Sequence, residues 1–190
     1  MPDTKQTVLE QAVADQWKVL PSGLTVLVRP MPGYSSTHVI FATKFGSIDR
    51  DFRLDGKEVH LPAGVAHFLE HMAFNGTTHF PEGVMPYLRG KGIFTFNART
   101  GINQTVYNIE DVPTADGGLV DTCMFIVKDW CNEILLKEKD IDDERGVIIE
   151  EWRSHYDVGR RLQEGSAPVV YNHTKYARRN VIGTVELLKS

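Results

Sequence analysis

The sequence predicts an α+β domain in which helices pack on a mostly antiparallel sheet. Two short apolar runs flank Pro21-Ser22-Gly23, a pattern typical of a β-hairpin. Farther along, apolar residues from Leu119 to Ile134 recur at spacings of 4, 3, 4 and 4, which indicates an amphipathic helix. Strands and helices in mixed order favour a layered α+β architecture. The chain has 190 residues, 42% of them hydrophobic, and is therefore long enough to bury one core.

The remaining predicted elements follow in chain order. Residues 1–15 are interpreted as an N-terminal extension and residues 16–190 as the domain. The acidic segment 137–160 is predicted to be a helix, because acidic residues favour the first turn and apolar residues follow at helical spacing. The other expectations are a strand at 38–45, a loop or insertion at 46–60, an irregular segment at 165–180 and a short helix from 184 to 189.

Composition and charge argue against several classes of function. The formal net charge is −4 and there is no dominant basic patch, so nucleic-acid binding is not expected. No apolar run approaches the length of a membrane span, and residues 1–19 lack the apolar centre of a signal peptide. Cys123 and Cys131 would lie about 12 Å apart along the predicted helix, which is too far for a mutual disulfide.

The most informative segment is the pentapeptide His67-Phe68-Leu69-Glu70-His71. Two histidines four residues apart on a helix lie on one face, so both rings can reach a single metal ion. Glu70 lies near the same face and can act on a water molecule there without being a ligand. This order inverts the His-Glu-x-x-His motif and is a known zinc signature. For the pentapeptide alone, the alternative is an ordinary helix with two satisfied histidines and a solvated glutamate.

The flanking residues predict that this segment is a short, partly buried helix. Pro62 suits the first turn of a helix, and Val65, Phe68 and Met72 give the segment an apolar side. Asn75-Gly76 then supplies a stop signal. Histidines and a glutamate on a partly buried helix need polar partners, and a metal ion would satisfy all three.

A third metal ligand has to come from another segment, because catalytic zinc usually takes three protein ligands and leaves the fourth position to water. Glu144 and Glu151 are seven residues apart on the predicted acidic helix, about two turns, and therefore share a face. Glu150 points roughly 100° away from Glu151. Most acidic runs are solvated helix faces, so this helix alone does not establish a ligand.

Taken together, the motif at 67–71 and the segment Glu-Arg-Gly-Val-Ile-Ile-Glu-Glu-Trp at 144–152 resemble the inverzincin family of zinc peptidases. This family includes pitrilysin, insulin-degrading enzyme and the mitochondrial processing peptidase. The resemblance spans about residues 16 to 188. Further matches are the turn Asn75-Gly76-Thr77, a helix from Phe80 to Leu88, an edge strand with an Asn-Ala pair at 92–98 and a strand beginning Thr105-Val106-Tyr107.

The resemblance implies a centre that holds one Zn²⁺ per chain. His67 and His71 match the two zinc-binding histidines of the family, and Glu70 matches its general base. Glu151 matches the third zinc ligand. Glu150 is the rival for that position, and Glu151 is preferred both on helix face and on the match.

The resemblance also implies residues around the metal. Glu144 matches an accessory carboxylate that lies near the metal without ligating it. Asn97 and Ala98 match the edge strand that pairs with the substrate backbone. The activity implied is zinc-dependent hydrolysis of peptide bonds in extended or unstructured peptides.

The implied fold is pitrilysin-like, and family members carry a second, homologous domain. The sequence is therefore expected to be part of a longer protein, truncated inside its first domain, with little activity unless joined by that second domain or a partner subunit. Bacterial relatives are often envelope proteins, so a periplasmic or envelope location is expected, with the cytoplasm as the alternative.

Two other interpretations of the function stay open. One is a non-catalytic subunit of the same family; the other is a structural zinc site with His60 or His79 as fourth ligand, although both are interpreted as surface histidines.

Overall fold

The computed structural model describes residues 14–178 and 180–189, so most of the proposed N-terminal extension, residues 1–15, lies outside the described residues. The strands are β1 (Gln16–Val19), β2 (Thr25–Val28), β3 (Ser36–Thr43), β4 (Asp51–Leu54), β5 (Lys57–His60), β6 (Phe96–Thr100) and β7 (Thr105–Pro113). The helices are α1 (Val65–Asn75), α2 (Val84–Gly90), α3 (Gly117–Asn132), α4 (Glu138–His155), α5 (Val158–Val170) and α6 (Val185–Lys189), with a 3₁₀ turn at Lys175–Arg178.

The central sheet has three antiparallel strands in the order β3-β7-β6. The middle strand, β7, alternates buried residues with more exposed ones, and Thr105, Tyr107 and Ile109 point inward. β6 pairs with β7 along one edge only, so its other edge is unpaired within the described part of the chain. The predicted edge strand is therefore an edge strand in the structure. The predicted hairpin around Pro21-Ser22-Gly23 is also present, as β1 and β2.

The main core lies between this sheet and three helices. Its buried members include Phe74 from α1, Leu88 from α2, Ile109 from β7, and Ile126 and Trp130 from α3. The apolar stripe predicted from Leu119 is thus the buried face of α3, although the helix ends at Asn132 and the last member of the stripe, Ile134, lies beyond it. The indole Nε1 of Trp130 donates a hydrogen bond to the Ala73 carbonyl at 2.9 Å. This satisfies the polar atom of a buried tryptophan and joins α3 to α1.

A second, smaller cluster fixes α4 beside α1. Ile148 of α4 is buried against Ile182 and Leu188 from the C-terminal segment, and Phe68 and Trp152 pack on the same cluster. Helix α4 therefore contacts both α1 and α6. This packing brings the acidic face of α4 against the histidines of α1.

The prediction of a loop or insertion at 46–60 was wrong, because the segment contains the hairpin β4–β5. Asp55 and Gly56 join the strands with φ of 49° and 77°. Asp-Gly with positive φ at both positions is the preferred two-residue hairpin turn. Most of the hairpin is exposed, so its charged side chains do not conflict with strand structure. They had obscured the turn signal in the sequence.

The prediction of an irregular segment at 165–180 was wrong over its first part. The acidic helix ends at His155, and a separate helix, α5, runs from Val158 to Val170. Asp157 separates the two helices, since its side chain caps α5 by accepting a hydrogen bond from the Arg160 backbone N–H at 2.8 Å. Gly165 lies inside α5, where it had been taken as the start of irregular structure.

Other boundaries differ by a few residues. The helix expected from Phe80 begins at Val84, and the strand expected at 92–98 runs from Phe96 to Thr100. The short helix expected at 184–189 is α6. Among the described residues, the helices are too short or too polar to cross a membrane.

Candidate metal centre

Helix α1 presents the motif, and its first turn lies against the C-terminal segment. Gly64 precedes the helix with φ of 93°, a conformation that glycine adopts most readily. A Cβ atom at this position would lie 2.6 Å from the Ile182 carbonyl oxygen. Glycine is therefore required both by the backbone angle and by the close contact. The helix ends at Asn75-Gly76, where the sequence predicted its stop.

Three side chains from two helices converge on one point. His67 and His71 from α1 and Glu151 from α4 offer one ligand atom each, and these atoms all lie within 4.8 Å of one another. His67 Nε2 is 3.5 Å from Glu151 Oε1, and His71 Nε2 is 3.2 Å from Glu151 Oε2. The centroids of the two imidazole rings are 4.6 Å apart, and the rings meet edge to face. The structure thus brings together the three residues predicted as metal ligands.

The spacing of these donors fits a tetrahedral zinc site. Zinc bonds to histidine and carboxylate of about 2.0–2.2 Å place neighbouring ligand atoms about 3.3–3.6 Å apart in a tetrahedron. Each histidine lies close to that distance from a different oxygen of Glu151, 3.5 Å to Oε1 and 3.2 Å to Oε2, and one ligand atom from each of the three residues lies within 4.8 Å of the others. Two imidazoles and one carboxylate are also a donor set found at catalytic zinc. The residues present therefore fit the ion that the resemblance implies.

Glu150 does not share this position. Its side chain is largely exposed and pairs with Arg153 one turn later on the same helix. Glu151 is turned towards α1, as the angle between adjacent helical residues requires. The geometry therefore favours Glu151 over its rival.

The accessory carboxylate, Glu144, is buried behind His71. His71 Nδ1 lies 2.7 Å from Glu144 Oε1, and the Asn75 amide donates to Glu144 Oε2 at 2.5 Å. A carboxylate that accepts the Nδ1 proton of a histidine fixes the tautomer that leaves Nε2 free for a metal. Asn75, read from the sequence only as a helix stop, thus has a second role that no sequence signal announced.

The two histidines differ in their electrostatic surroundings. Burial, reinforced by the neighbouring His71 ring and by Arg160, lowers the pKa of His67 to about 4. Burial also acts to lower the pKa of His71, but the hydrogen bond and charge of Glu144, together with Glu151, outweigh it and raise that pKa above its ordinary value. The hydrogen bond with His71 lowers the pKa of Glu144. His67 Nδ1 is buried and has no hydrogen-bond partner among the described residues.

Glu70, the predicted general base, lies beside the converging donors and is buried. Burial raises the pKa of Glu70 above its ordinary value, and a hydrogen bond from Thr100 opposes part of that effect. The Thr100 hydroxyl donates to Glu70 Oε2 at 2.5 Å. Sequence reasoning did not identify Thr100, because an isolated threonine at the end of a strand carries no motif.

A cleft of about 850 Å³ opens in front of these groups. The unpaired strand β6 forms one wall, including Asn97 and Ala98, and α5 contributes Arg160 and Glu164. The Ala98 backbone N–H donates to the Asn97 side-chain oxygen at 2.9 Å. The predicted substrate-binding pair and the predicted metal ligands therefore line the same cleft. The part played by α5 was missed, because the sequence prediction divided this helix between the acidic helix at 137–160 and the irregular segment that begins at Gly165.

His60 and His79 do not join the donor group. His60 is exposed on β5 and lies 3.0 Å from Asp51. His79 is exposed, and its Nδ1 lies 2.9 Å from Oδ1 of the fully buried Asp129. Within the part of the chain that the structure describes, neither supplies a fourth ligand to the His67–His71–Glu151 group. The two cysteines, both on α3, are free thiols.

Known proteins match both the sequence and the fold. A family model described as insulinase (peptidase family M16) matches residues 57–177. The probable zinc protease PqqL of Escherichia coli (strain K12) is 35% identical over 127 residues, which cover 65% of this chain and 14% of that protein. The chain thus spans a small part of the length of this relative.

Solved structures share the fold of this chain. The first half of the periplasmic protease PqqL from Escherichia coli has a TM-score of 0.81 and 29% identity, covering 95% of this chain and 38% of that one. Pitrilysin, at 24% identity and a TM-score of 0.69 over 94% of this chain and 18% of that one, shares the fold. The predicted α+β, pitrilysin-like fold is therefore confirmed. With the family model covering more than half of the sequence, this chain belongs to the insulinase family, peptidase family M16.

Proposed function

We propose that this chain carries the metal centre of a zinc-dependent endopeptidase that cleaves extended or unstructured peptides. The observation that supports this most directly is the convergence of His67, His71 and Glu151 within 4.8 Å, with the buried carboxylate of Glu70 beside them. Membership of a peptidase family whose relatives are named zinc proteases supports the same reaction class.

In this mechanism His67, His71 and Glu151 would hold the ion, and Glu144 would orient His71. When bound, zinc supplies a Lewis acid that polarises the scissile carbonyl and lowers the pKa of water to about 7. Glu70 accepts a proton from the attacking water and later delivers it to the leaving amine. The raised pKa of Glu70 suits both steps, because the carboxyl can be reprotonated closer to neutral pH.

The unpaired edge of β6 supports the proposed class of substrate. Backbone groups at a free edge can pair with an added strand, which binds an extended peptide with little dependence on its side chains. Asn97 and Ala98 lie on this edge and line the cleft with the metal-binding residues. A folded protein would have to release a strand before it could bind in this way, so we propose unstructured segments as the substrates.

The alternative of a non-catalytic subunit predicts that part of the motif is missing. Here His67, Glu70, His71 and Glu151 are all present and lie together, so the geometry favours the enzyme.

We further propose that activity needs the second homologous domain or a partner subunit, and that the protein works in the periplasm or cell envelope. The E. coli relative of known structure is described as periplasmic. Fractionation of cells that produce the complete protein tests the location.

The enzyme proposal is tested by Glu70→Gln in the complete protein. Hydrolysis of an unstructured peptide is expected to fall at least about a hundredfold, the usual contribution of a general base, while zinc content stays at one ion per chain. Glu150→Gln, a neighbouring exposed position, is the matched control and should keep full activity. Undiminished hydrolysis by Glu70→Gln would remove Glu70 from the mechanism.

A further inference from the structure

The proposed general base is held from the strand that forms the cleft wall. Thr100, the last residue of β6, donates its hydroxyl proton to Glu70 Oε2 at 2.5 Å, and both side chains are buried. A hydroxyl that donates to a carboxylate makes a short, charge-assisted bond, stronger than one between neutral groups. This contact connects α1 to β6 beside the metal-binding residues.

The neighbouring hydroxyl of Thr105 does not donate to Thr100, because its proton is used elsewhere. Thr105 Oγ1 lies 3.3 Å from Thr100 Oγ1, but it donates its own single proton to the Phe45 carbonyl at 2.9 Å. Thr105 therefore cannot also donate to Thr100. The Thr100 proton has two acceptors within reach, and the carboxylate of Glu70 is both the closer and the charged one.

From this arrangement we propose that Thr100 is a positioning residue for Glu70, which it couples to the substrate-binding edge of β6. The inference rests on the proposed peptidase function. Holding Oε2 of Glu70 restricts rotation of a carboxylate whose terminal torsion is otherwise broad. The other oxygen, Oε1, is thereby kept in place for the attacking water.

The coupling follows from the covalent continuity of β6. Thr100 lies two residues after Ala98 on the strand whose free edge would take the substrate backbone. A peptide paired along this edge would therefore be aligned on β6, the same strand that orients the proposed base, Glu70. Loss of the Thr100 hydroxyl should consequently impair the chemical step more than substrate binding.

The first test compares Thr100→Val with Thr100→Ser in the complete, zinc-loaded protein. Removing a hydrogen bond to a charged group should lower kcat about tenfold to a hundredfold, with KM for an unstructured peptide changed less than about twofold and zinc content unchanged. Thr100→Ser restores the hydroxyl and should recover most of kcat. Unchanged kcat in Thr100→Val, or failure of Thr100→Ser to recover it, would overturn the positioning role.

Thr77→Val is the matched control for loss of a buried threonine. Thr77 Oγ1 donates to the buried carboxylate of Asp129 at 2.6 Å, away from the metal centre. Thr77→Val removes the same kind of hydrogen bond as Thr100→Val. It should therefore lower the melting temperature while the folded protein keeps its kcat. An equal fall of kcat in Thr77→Val would mean that the Thr100 effect reflects stability alone.

A thermal double-mutant cycle tests the contact without reference to activity. Thr100→Val should lower the melting temperature of metal-free protein less in a Glu70→Ala background than in the wild type, because the partner is already gone. Equal shifts in both backgrounds would contradict the bond. Absence of peptide hydrolysis by wild-type, zinc-loaded protein would instead overturn the proposed function, so the two failures are distinguishable.

Discussion

Two regions of this molecule pair a histidine with a buried carboxylate, and only one of them resembles a metal site. In the candidate metal centre, His71 Nδ1 lies 2.7 Å from Glu144 Oε1, and Glu144 also accepts a hydrogen bond from Asn75. Near α3, His79 Nδ1 lies 2.9 Å from Asp129, which also accepts a hydrogen bond from Thr77. The local chemistry of the two pairs is nearly the same.

They differ in what faces the free nitrogen of the histidine. His71 Nε2 points towards His67 and Glu151, whereas His79 joins no group of three ligand-type side chains among the described residues. The second pair instead secures the segment after α1 to α3. A histidine–carboxylate pair therefore does not by itself define a metal site. The convergence of further donors from a second helix does.

The largest expected effect on metal binding comes from Glu151→Gln. Removing a charged ligand should weaken zinc binding by more than about a hundredfold, beyond the range typical for residues that only orient a ligand. Competition with a chelator of known affinity measures the change. The Glu150 side chain is exposed and pairs with Arg153. Glu150→Gln should therefore bind zinc as the wild type does. Equal losses in the two variants would show that overall charge, and not ligation, governs binding.

A smaller loss is expected from Glu144→Gln. The amide keeps the shape of the side chain but loses the charge that orients His71, and such changes typically weaken metal binding about 10–100-fold. The same competition assay applies. Zinc affinity equal to that of the wild type would mean that the contact between Glu144 and His71 does not support the metal site.

Acidification should release zinc because protons compete for the histidines. The raised pKa of His71 means that this competition begins above the ordinary histidine value of 6.5 as pH falls, and His67, with a pKa of about 4, joins only in strong acid. Between these limits zinc affinity should fall about tenfold per pH unit, which corresponds to one displaced proton. Calorimetry of zinc binding in buffers of different ionisation enthalpy counts the protons that zinc displaces. Displacement of two protons near pH 6 would contradict the assignment of the single proton to His71.

The smallest expected effect on zinc is that of Asp129→Asn in the second region. This change weakens charge-assisted bonds from Thr77 and His79 and should lower the free energy of unfolding by about 1–3 kcal/mol. Zinc affinity should be unchanged, since the pair lies outside the converging donors. Urea denaturation and the chelator assay give the two values. A loss of zinc affinity as large as that of Glu144→Gln would erase the distinction between the regions.

The sequence predicted the parts of the site that have a periodic or motif signal. The spacing of His67 and His71 follows from helix geometry, and the choice of Glu151 over Glu150 rested on helix face together with the resemblance to the family. The structure brings His67, His71 and Glu151 together. The buried stripe of α3 and the free edge of β6 were also predicted. The helical spacings depend on residues within one element, which a sequence pattern records directly, whereas the edge strand and the third ligand were predicted with the help of the resemblance.

Contacts between distant elements were beyond sequence reasoning. Thr100 is 30 residues from Glu70, and Asn75 is 69 residues from Glu144, so no local pattern links either pair. The exposed hairpin β4–β5 was hidden by its charges, and α5 was missed because Gly165 suggested a break. Packing decided the two long-range contacts, whereas the hairpin and α5 do carry local signals, the Asp55-Gly56 turn and the Asp157 cap, which the neighbouring charges and Gly165 obscured.

The central claim is that one zinc ion is held by His67, His71 and Glu151. Anomalous diffraction at the zinc edge, on crystals of the zinc-loaded protein, tests it most directly. One anomalous peak is expected about 2.0–2.2 Å from Nε2 of both histidines and from a Glu151 oxygen, with Glu144 hydrogen-bonded only to His71 and Asn75. A peak bonded to Glu150 or His79, or no peak between α1 and α4, would contradict it.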